Sequence, residues 1–235
     1  MKEITNIAHL KQLVAHLQGE VFPDYYPAVD RPKTPVLPDD FWKQIPEIAR
    51  LLQTDVDAVL HNDPAVTDRG EVILSYPLTF AMTHYRAAHV LYQLGVPRIP
   101  RMLTELAHSR TGIDIHPAAQ IGDHFCIDHG TGVVIGETAI IGSHVVLYQG
   151  VTLGAKNFEY DEQGRPMDIP RHPILEDHVT VYSNTSILGR VTIGHDTVIG
   201  GNIWLTQDIP ANSIVLQSTP EIRIKDKGTR KKDMK

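Results

Sequence analysis

Residues 114–154 read DIHPAAQIGDHFCIDHGTGVVIGETAIIGSHVVLYQGVTLG, and this stretch carries a spacing that decides the fold. An aliphatic residue recurs every six positions here and again further along the chain. Ile, Leu or Val stands at 115, 121 and 127, at 135, 141, 147 and 153, and at 175, 181, 187, 193, 199 and 205. The position four residues later is mostly small or β-branched, and Gly often follows the aliphatic residue directly.

A six-residue period is typical of short strands that are separated by tight turns. One hexad cannot bury its aliphatic residue alone, whereas stacked coils bury a continuous column. We therefore predict a parallel β-helix of hexapeptide repeats, although the spacing alone does not reveal its handedness. The alternative is a β-sandwich, whose hairpins would need turn signals such as Asn-Gly about every ten residues, and these are missing.

Two interruptions break the period. The register slips by two residues at Val133 to Ile135, and the column is lost between 153 and 175. The second interruption is polar and rich in Pro and Gly, so we expect residues 155–173 to leave the coil as a loop.

The first half of the chain has a helical period instead. We predict helices over 4–18, 41–52, 55–63, 77–94 and 100–108, with Thr54 as the N-cap of the third. The five prolines between 21 and 40 predict an irregular connector. The predicted organisation is α+β: an α-helical domain at 1–110, the β-helix at 111–216 and a basic tail at 217–235.

Composition excludes several classes of function. The 22 Lys and Arg against 28 Asp and Glu give a formal charge of −6, which disfavours broad binding of nucleic acid or of an anionic membrane. A single cysteine, Cys126, allows neither an intrachain disulfide nor a cysteine zinc site. No apolar run is long enough to span a membrane and the N-terminus lacks a secretory h-region, so we expect a cytoplasmic protein.

Four motifs, DIHPAAQIG, IDHGTGVVIGET, VTLG and RHPIL, resemble those of bacterial and plant serine O-acetyltransferases over residues 60–210. The resemblance implies a left-handed parallel β-helix under an N-terminal helical domain. It also implies transfer of an acetyl group from acetyl-CoA to the hydroxyl of L-serine, which gives O-acetylserine for cysteine biosynthesis. No metal is expected to take part.

His129 is the strongest candidate for catalysis. By itself it would be a solvated histidine at a turn, but it lies between Asp128 and Gly130 and follows Asp114 by fifteen residues. That offset is close to one coil of three hexads, so the two side chains are expected to face each other on neighbouring coils. A carboxylate on one imidazole nitrogen raises the basicity of the other. By resemblance, His129 is the general base and Asp114 orients it.

Five further residues match the family's substrate-binding positions. Arg171 and His172 end the loop, and a guanidinium suits a substrate carboxylate, although an ion pair of Arg171 with Glu176 is an alternative. The resemblance implies serine binding by the set Asp63, Asp128, Arg171, His172 and Glu137. For Asp63, a simple turn position before Pro64 competes with this role.

The acetyl-CoA site carries a weaker signal. Resemblance places the pantetheine arm against Gly154, Ala155, Ser183 and Gly201, in a groove between coils, and backbone N–H groups near Gly154 are candidates for an oxyanion hole. Cys126 is interpreted as a small buried residue, so transfer is expected to be direct.

Alternative functions and partners remain open. One is a related acyltransferase with another hydroxyl or amine acceptor. A second is a metal hydratase of the γ-carbonic-anhydrase type, which would use an H-x4-H pair such as His124 and His129, and a third is a non-catalytic scaffold. We expect a homotrimer or a hexamer of paired trimers. The terminal Ile that docks some members into cysteine synthase is absent, so no complex with that enzyme is expected.

Overall fold

The computed structural model describes residues 7–33, 36–157, 160–165, 167 and 169–218. The tail predicted at 217–235 therefore lies outside the described residues from 219 onward, as does the start of the first predicted helix. Six helices precede fourteen short strands in the described part of the chain. The helices are α1 (Ile7–Val21), α2 (Asp39–Lys43), α3 (Ile45–Asn62), α4 (Arg69–Ser75), α5 (Pro77–Gln93) and α6 (Ile99–Thr111).

Helix ends follow local signals in most places. Helix α5 begins with Pro77 and ends before Gly95, whose φ of +70° disfavours other residues. One prediction was wrong: 41–52 and 55–63 are not separate helices, because α3 runs unbroken through Thr54. The Thr54 hydroxyl donates to the carbonyl of Leu51, 2.7 Å away, so it bonds within the helix instead of capping a new one.

The strands form three parallel sheets, one on each side of a five-coil β-helix. The first sheet contains β1 (Asp114–Ile115), β4 (Val134–Ile135), β7 (Thr152–Gly154), β10 (Ser186–Leu188) and β13 (Trp204–Leu205). The second contains β2 (Gln120–Ile121), β5 (Ile140–Ile141), β8 (Ile174–Leu175) and β11 (Thr192–Ile193). The third contains β3 (Cys126–Asp128), β6 (Val146–Tyr148), β9 (Thr180–Val181), β12 (Val198–Ile199) and β14 (Ile214–Val215).

The aliphatic column predicted from the six-residue period is confirmed. All thirteen of its positions are buried, and the most exposed of them, Ile121, is 9% exposed. Each of the first four coils contributes three of these side chains to the interior, one from each sheet, and the last coil contributes Leu205.

Both interruptions are also confirmed. Ile135 pairs with Ile115 on the coil before it and with Leu153 on the coil after it, so the first step takes two more residues than the second. The extra residues lie in the turn between β3 and β4. Residues 155–173 separate β7 from β8 as the predicted loop.

The helices cover the open edge of the first coil. Arg86 lies 4% exposed and forms a two-pronged ion pair with Asp55, with N–O distances of 2.9 and 3.1 Å. The same guanidinium donates to the carbonyls of Ile121 and Gly122, and Asp55 accepts the N–H of Phe125. Loss of one partner from such a buried pair costs about 3–5 kcal/mol.

The hydrophobic core is continuous from the helices into the coils. The predicted division at 110/111 lies one residue before the end of α6, and whether the two parts are separate domains stays a prediction. The last coil presents Trp204 and Ile214 to solvent, each more than 70% exposed. No helix in the described ranges combines the length and apolar character that a bilayer span requires.

Candidate active site

A five-residue turn after β3 holds His129. The two residues by which the register slips are accommodated here, and His129, Gly130 and Gly132 all have positive φ, at 56°, 84° and 80°. A Cβ on Gly130 would lie 2.6 Å from the Ile113 side chain, so only glycine fits this close approach. The turn therefore projects the His129 side chain outward, 74% exposed, at the corner between the third and first sheets.

Two carboxylates from different parts of the chain lie near His129. Asp128 Oδ1 is 4.0 Å from His129 Nδ1. Asp63, at the end of α3, accepts a 2.7 Å hydrogen bond from Tyr76 Oη and one of 2.8 Å from Ala65 N. These two hydrogen bonds, and more weakly the charge of His129, lower the pKa of Asp63. We call the set Asp63, Tyr76, Asp128 and His129 the His129 corner.

Asp63 occupies the turn position that the sequence left open, and its role in binding a substrate stays a prediction. Its Oδ1 stabilises the turn before Pro64, and its Oδ2 is held by Tyr76 beside Asp128. A narrow crevice between α3 and the third sheet is lined by both carboxylates, Tyr76 and Tyr148. Two anionic groups at such a crevice favour a ligand with an ammonium group.

The strand register does not pair Asp114 with His129, and whether the two side chains face each other stays a prediction. The first coil step is 20 residues long, so the residue aligned with Asp114 on the next coil is Val134. The Asp114 carboxylate lies on the outer side of the first sheet, 3.7 Å from Arg101. The spacing argument assumed a coil step of about fifteen residues, and the slip at His129 makes this step longer. The role of Asp114 as the partner of a catalytic histidine stays a prediction.

Arg171 and His172 lie at another corner, between the first and second sheets, against the GET motif of the preceding coil. Among the described residues Arg171 forms an ion pair with Glu137, whereas Glu176 accepts the backbone N–H of His195. The hydroxyl of Thr138 accepts the backbone N–H groups of Arg171 and His172, at 2.9 and 3.1 Å. We call the set Glu137, Thr138, Arg171 and His172 the Arg171 corner.

The His172 ring is held in one neutral form. The Thr138 N–H donates to His172 Nδ1 at 3.1 Å, so Nδ1 is an acceptor and Nε2 carries the proton. Burial and the neighbouring Arg171 charge lower the pKa of His172 to about 4. Gly136 provides the space, because a Cβ there would lie 1.9 Å from the ring. His172 can therefore offer a neutral N–H donor at pH 7.

The four predicted acetyl-CoA residues divide between the same two corners. Gly154 and Ala155 lie where β7 leaves the first sheet, at the Arg171 corner. Ser183 and Gly201 lie between the third and first sheets, at the corner of His129 but on later coils. They neighbour each other on adjacent coils, since the Ser183 carbonyl is 3.1 Å from where a Cβ of Gly201 would be.

Two other sequence-based expectations concern Cys126 and the H-x4-H pair. Cys126 is 1% exposed and burial raises its pKa to about 12, so the thiol is unsuited to nucleophilic attack. His124 lies in the turn between β2 and β3, whereas His129 lies in the turn after β3. The pair therefore occupies different corners, which disfavours the metal-hydratase alternative.

Sequence reasoning missed three residues that hold the site together. Tyr76 fixes Asp63, Thr138 binds both members of the Arg171–His172 pair, and Arg190 donates to the carbonyls of Thr138 and His172 at 2.7 and 3.0 Å. Thr138 had a sequence signal, since it belongs to the GET motif. Tyr76 and Arg190 had none, because both act through contacts distant in sequence.

Known proteins give a consistent comparison, although no family model matches the chain. The chain is 49% identical over 197 residues to a plasmid serine acetyltransferase of Synechococcus elongatus, covering 83% of this chain and 62% of that protein. It is 40% identical over 176 residues to the serine acetyltransferase of Helicobacter pylori, covering 75% of this chain and 98% of that protein. The chain belongs to the serine acetyltransferase family.

Solved serine acetyltransferases share the fold. The Entamoeba histolytica isoform 3 enzyme, solved with cysteine, has a TM-score of 0.78 and 33% identity, with 92% of this chain and 85% of that chain covered. The Neisseria gonorrhoeae enzyme, solved with serine, has a TM-score of 0.70 and 27% identity, with 89% and 82% covered. The predicted left-handed β-helix beneath a helical region is thus confirmed. The chain spans only 62% and 65% of the lengths of the two Synechococcus elongatus serine acetyltransferases.

Proposed function

We propose that the protein transfers the acetyl group of acetyl-CoA to the hydroxyl of L-serine, giving O-acetylserine for cysteine biosynthesis. The observation that carries this proposal is the chemistry of its two corners. One has an exposed imidazole beside two carboxylates, and the other has a guanidinium beside a neutral imidazole. Together these groups match a general base, an ammonium site and a carboxylate site.

Two chains are needed to complete such a site. The His129 and Arg171 corners are two different corners of a triangular prism, and each carries part of the machinery. A rotation about a threefold axis beside the prism would bring the His129 corner of one chain against the Arg171 corner of the next. We therefore propose a homotrimer, or a hexamer of paired trimers, with its sites between neighbouring chains.

Each functional group of serine has a proposed partner. Asp63 and Asp128 bind the ammonium group, and Tyr76 keeps Asp63 ionised and oriented. Arg171 binds the carboxylate in a bidentate fork, oriented by Glu137, while His172 donates its Nε2–H to the same substrate. The serine hydroxyl then lies towards His129.

The chemical step needs one proton transfer in each direction. The unprotonated nitrogen of His129 takes the hydroxyl proton as the serine oxygen attacks the thioester carbonyl, and a C–O bond forms. The tetrahedral intermediate collapses with cleavage of the C–S bond, and the imidazolium returns the proton to the CoA thiolate. Asp114 lies on the outer side of the first sheet, and we propose that it steadies the imidazolium of the neighbouring chain.

Acetyl-CoA is the proposed co-substrate, and the transfer needs no metal. Its pantetheine arm is proposed to follow the small residues Gly154 and Ala155 of one chain and Ser183 and Gly201 of the next. Their division between the same two corners supports this path. Backbone N–H groups near Gly154 are the proposed oxyanion donors. The proposed location is the cytoplasm, where acetyl-CoA and serine are both present.

The substrate is tested by measuring CoA thiol release from acetyl-CoA with L-serine, L-homoserine, D-serine and an amino sugar as acceptors. L-serine should give the highest kcat/KM, because only it presents an ammonium, a carboxylate and a hydroxyl in the spatial arrangement that the two corners are proposed to bind. Cysteine has the same ammonium and carboxylate, so it should compete with serine. Faster transfer to the amino sugar would favour the alternative of an acyltransferase with another acceptor.

A further inference from the structure

The third corner of the prism, between the second and third sheets, carries a stack of histidines that the proposed reaction does not use. His124, His144 and His178 occupy the same place on three successive coils, with φ of 51°, 57° and 59°. Their rings are parallel to within 15°, with centroids 4.2 Å apart for the first pair and 4.8 Å for the second. The stack lies away from both corners of the candidate active site.

The lower end of the stack has the donor set of a metal site. Asp123, His124 and His144 each offer one ligand atom, and these three atoms lie within 4.8 Å of one another. Two imidazoles and one carboxylate suit divalent transition ions such as Zn²⁺ and Co²⁺.

An independent observation is an unsatisfied nitrogen. His124 Nδ1 is shielded from solvent and has no hydrogen-bond partner among the residues that the structure describes. Its nearest charged neighbour is Asp123 Oδ1 at 3.4 Å. A shielded nitrogen without a partner costs free energy, and an ion is one of the ways in which proteins satisfy it.

We propose that Asp123, His124 and His144 bind one Zn²⁺-like transition ion per chain and so link the first two coils at this corner. Ligand atoms of a tetrahedral zinc site are about 3.4 Å apart, so the group must contract slightly. His144 is exposed and can rotate its ring out of the stack to do so. Asp123 binds through Oδ1, since Arg50 lies 3.6 Å from Oδ2. This proposal is independent of acetyl transfer.

The test is equilibrium dialysis of tag-free, chelator-treated protein against Zn²⁺, with Co²⁺ absorption as the spectroscopic readout of histidine ligation. The wild type should bind one ion per chain and unfold at a higher temperature when loaded. His144→Ala and Asp123→Asn should each weaken binding by about tenfold or more, as expected when a metal site loses a group that holds it.

Two matched controls keep the result specific. His195→Ala removes an exposed histidine of the same corner that pairs with Asp196, and His178→Ala removes the member of the stack outside the ligand group. Both should bind Zn²⁺ like the wild type, and all variants should keep the unfolding temperature of the metal-free protein. The assignment would be overturned if binding did not saturate at one ion per chain or if His144→Ala bound Zn²⁺ as the wild type does. An equal loss of binding in a control variant would also overturn it.

Discussion

The two corners that carry the candidate active site differ in how they hold their side chains. At the His129 corner the backbone does the positioning, because a turn of positive-φ residues projects an imidazole that is 74% exposed. At the Arg171 corner side chains do it, because Thr138, Glu137 and Arg190 surround a His172 that is 7% exposed. The difference is consistent with the proposal that the first corner supplies the group that exchanges protons, while the second supplies fixed donors.

The largest expected effect is the loss of the proposed base. His129→Ala should lower kcat by about 10²–10⁴-fold, the usual contribution of general acid–base catalysis, with less change in the KM for serine. The His195→Ala protein, which loses an exposed histidine of the third corner, is the control and should keep full activity. An unchanged kcat in His129→Ala would remove the proposed mechanism.

Mixing two inactive variants tests whether each active site takes its His129 corner from one chain and its Arg171 corner from the next. Random trimers of His129→Ala and Arg171→Ala chains should have about a quarter of their sites intact, since each site draws one corner from each of two chains. Activity should return after co-refolding or co-expression and stay absent when the purified variants are assayed alone. If the mixture stayed inactive although mixed trimers were detected, both corners would have to act within one chain.

The Arg171 corner should be sensitive to the addition of a single methyl group. In Gly136→Ala the new Cβ would lie 1.9 Å from the His172 ring, so the ring must move. A displacement of about 1 Å can cost about 10²-fold in rate, and we expect kcat/KM to fall by roughly 10–10²-fold. Circular dichroism should show an intact fold. A fully active Gly136→Ala enzyme would contradict the role of His172.

A smaller effect is expected at the His129 corner from Tyr76→Phe. The variant removes the 2.7 Å hydrogen bond to Asp63 but keeps the ring. The KM for serine should rise by roughly three- to tenfold, as for one hydrogen bond to a charged group at a partly solvated site, with little change in kcat. The pKa of Asp63 should rise towards its usual value. A fall in kcat alone would assign Tyr76 to the chemical step instead.

The last prediction concerns stability in acid instead of activity. Because the pKa of His172 is about 4 in the folded chain and near 6.5 when unfolded, the unfolded state binds the proton first. Stability should therefore decrease as the pH falls from about 6.5 to 4. Urea unfolding at pH 7 and pH 5 should show that His172→Asn loses less stability in acid than the wild type, by roughly 2 kcal/mol. An equal loss in both proteins would place the acid sensitivity elsewhere.

Much of the fold could be predicted because its signals are local. Each aliphatic residue of the hexad column is buried by coils whose spacing is written in the sequence, so all thirteen positions could be named in advance. A helix boundary was wrongly predicted at Thr54, because a hydroxyl bonded to its own helix looks, in sequence, like a cap. Asp114 and His129 could each be singled out by motif, but their relation depended on the length of one coil step.

The sequence by itself determined the β-helix, the loop at 155–173 and the identity of the candidate catalytic groups, because periodic burial and motif chemistry involve residues close along the chain. The tertiary structure alone decided which of these groups meet. The two-residue slip aligned Asp114 with Val134. Thr138 of the GET turn hydrogen-bonded the backbone of Arg171 and His172. The three-sheet geometry of the β-helix placed His129 at a different corner from these two residues. These relations depend on how the coils stack and on the geometry of the turns between strands. Many residues together set both, so no single spacing in the sequence reveals them.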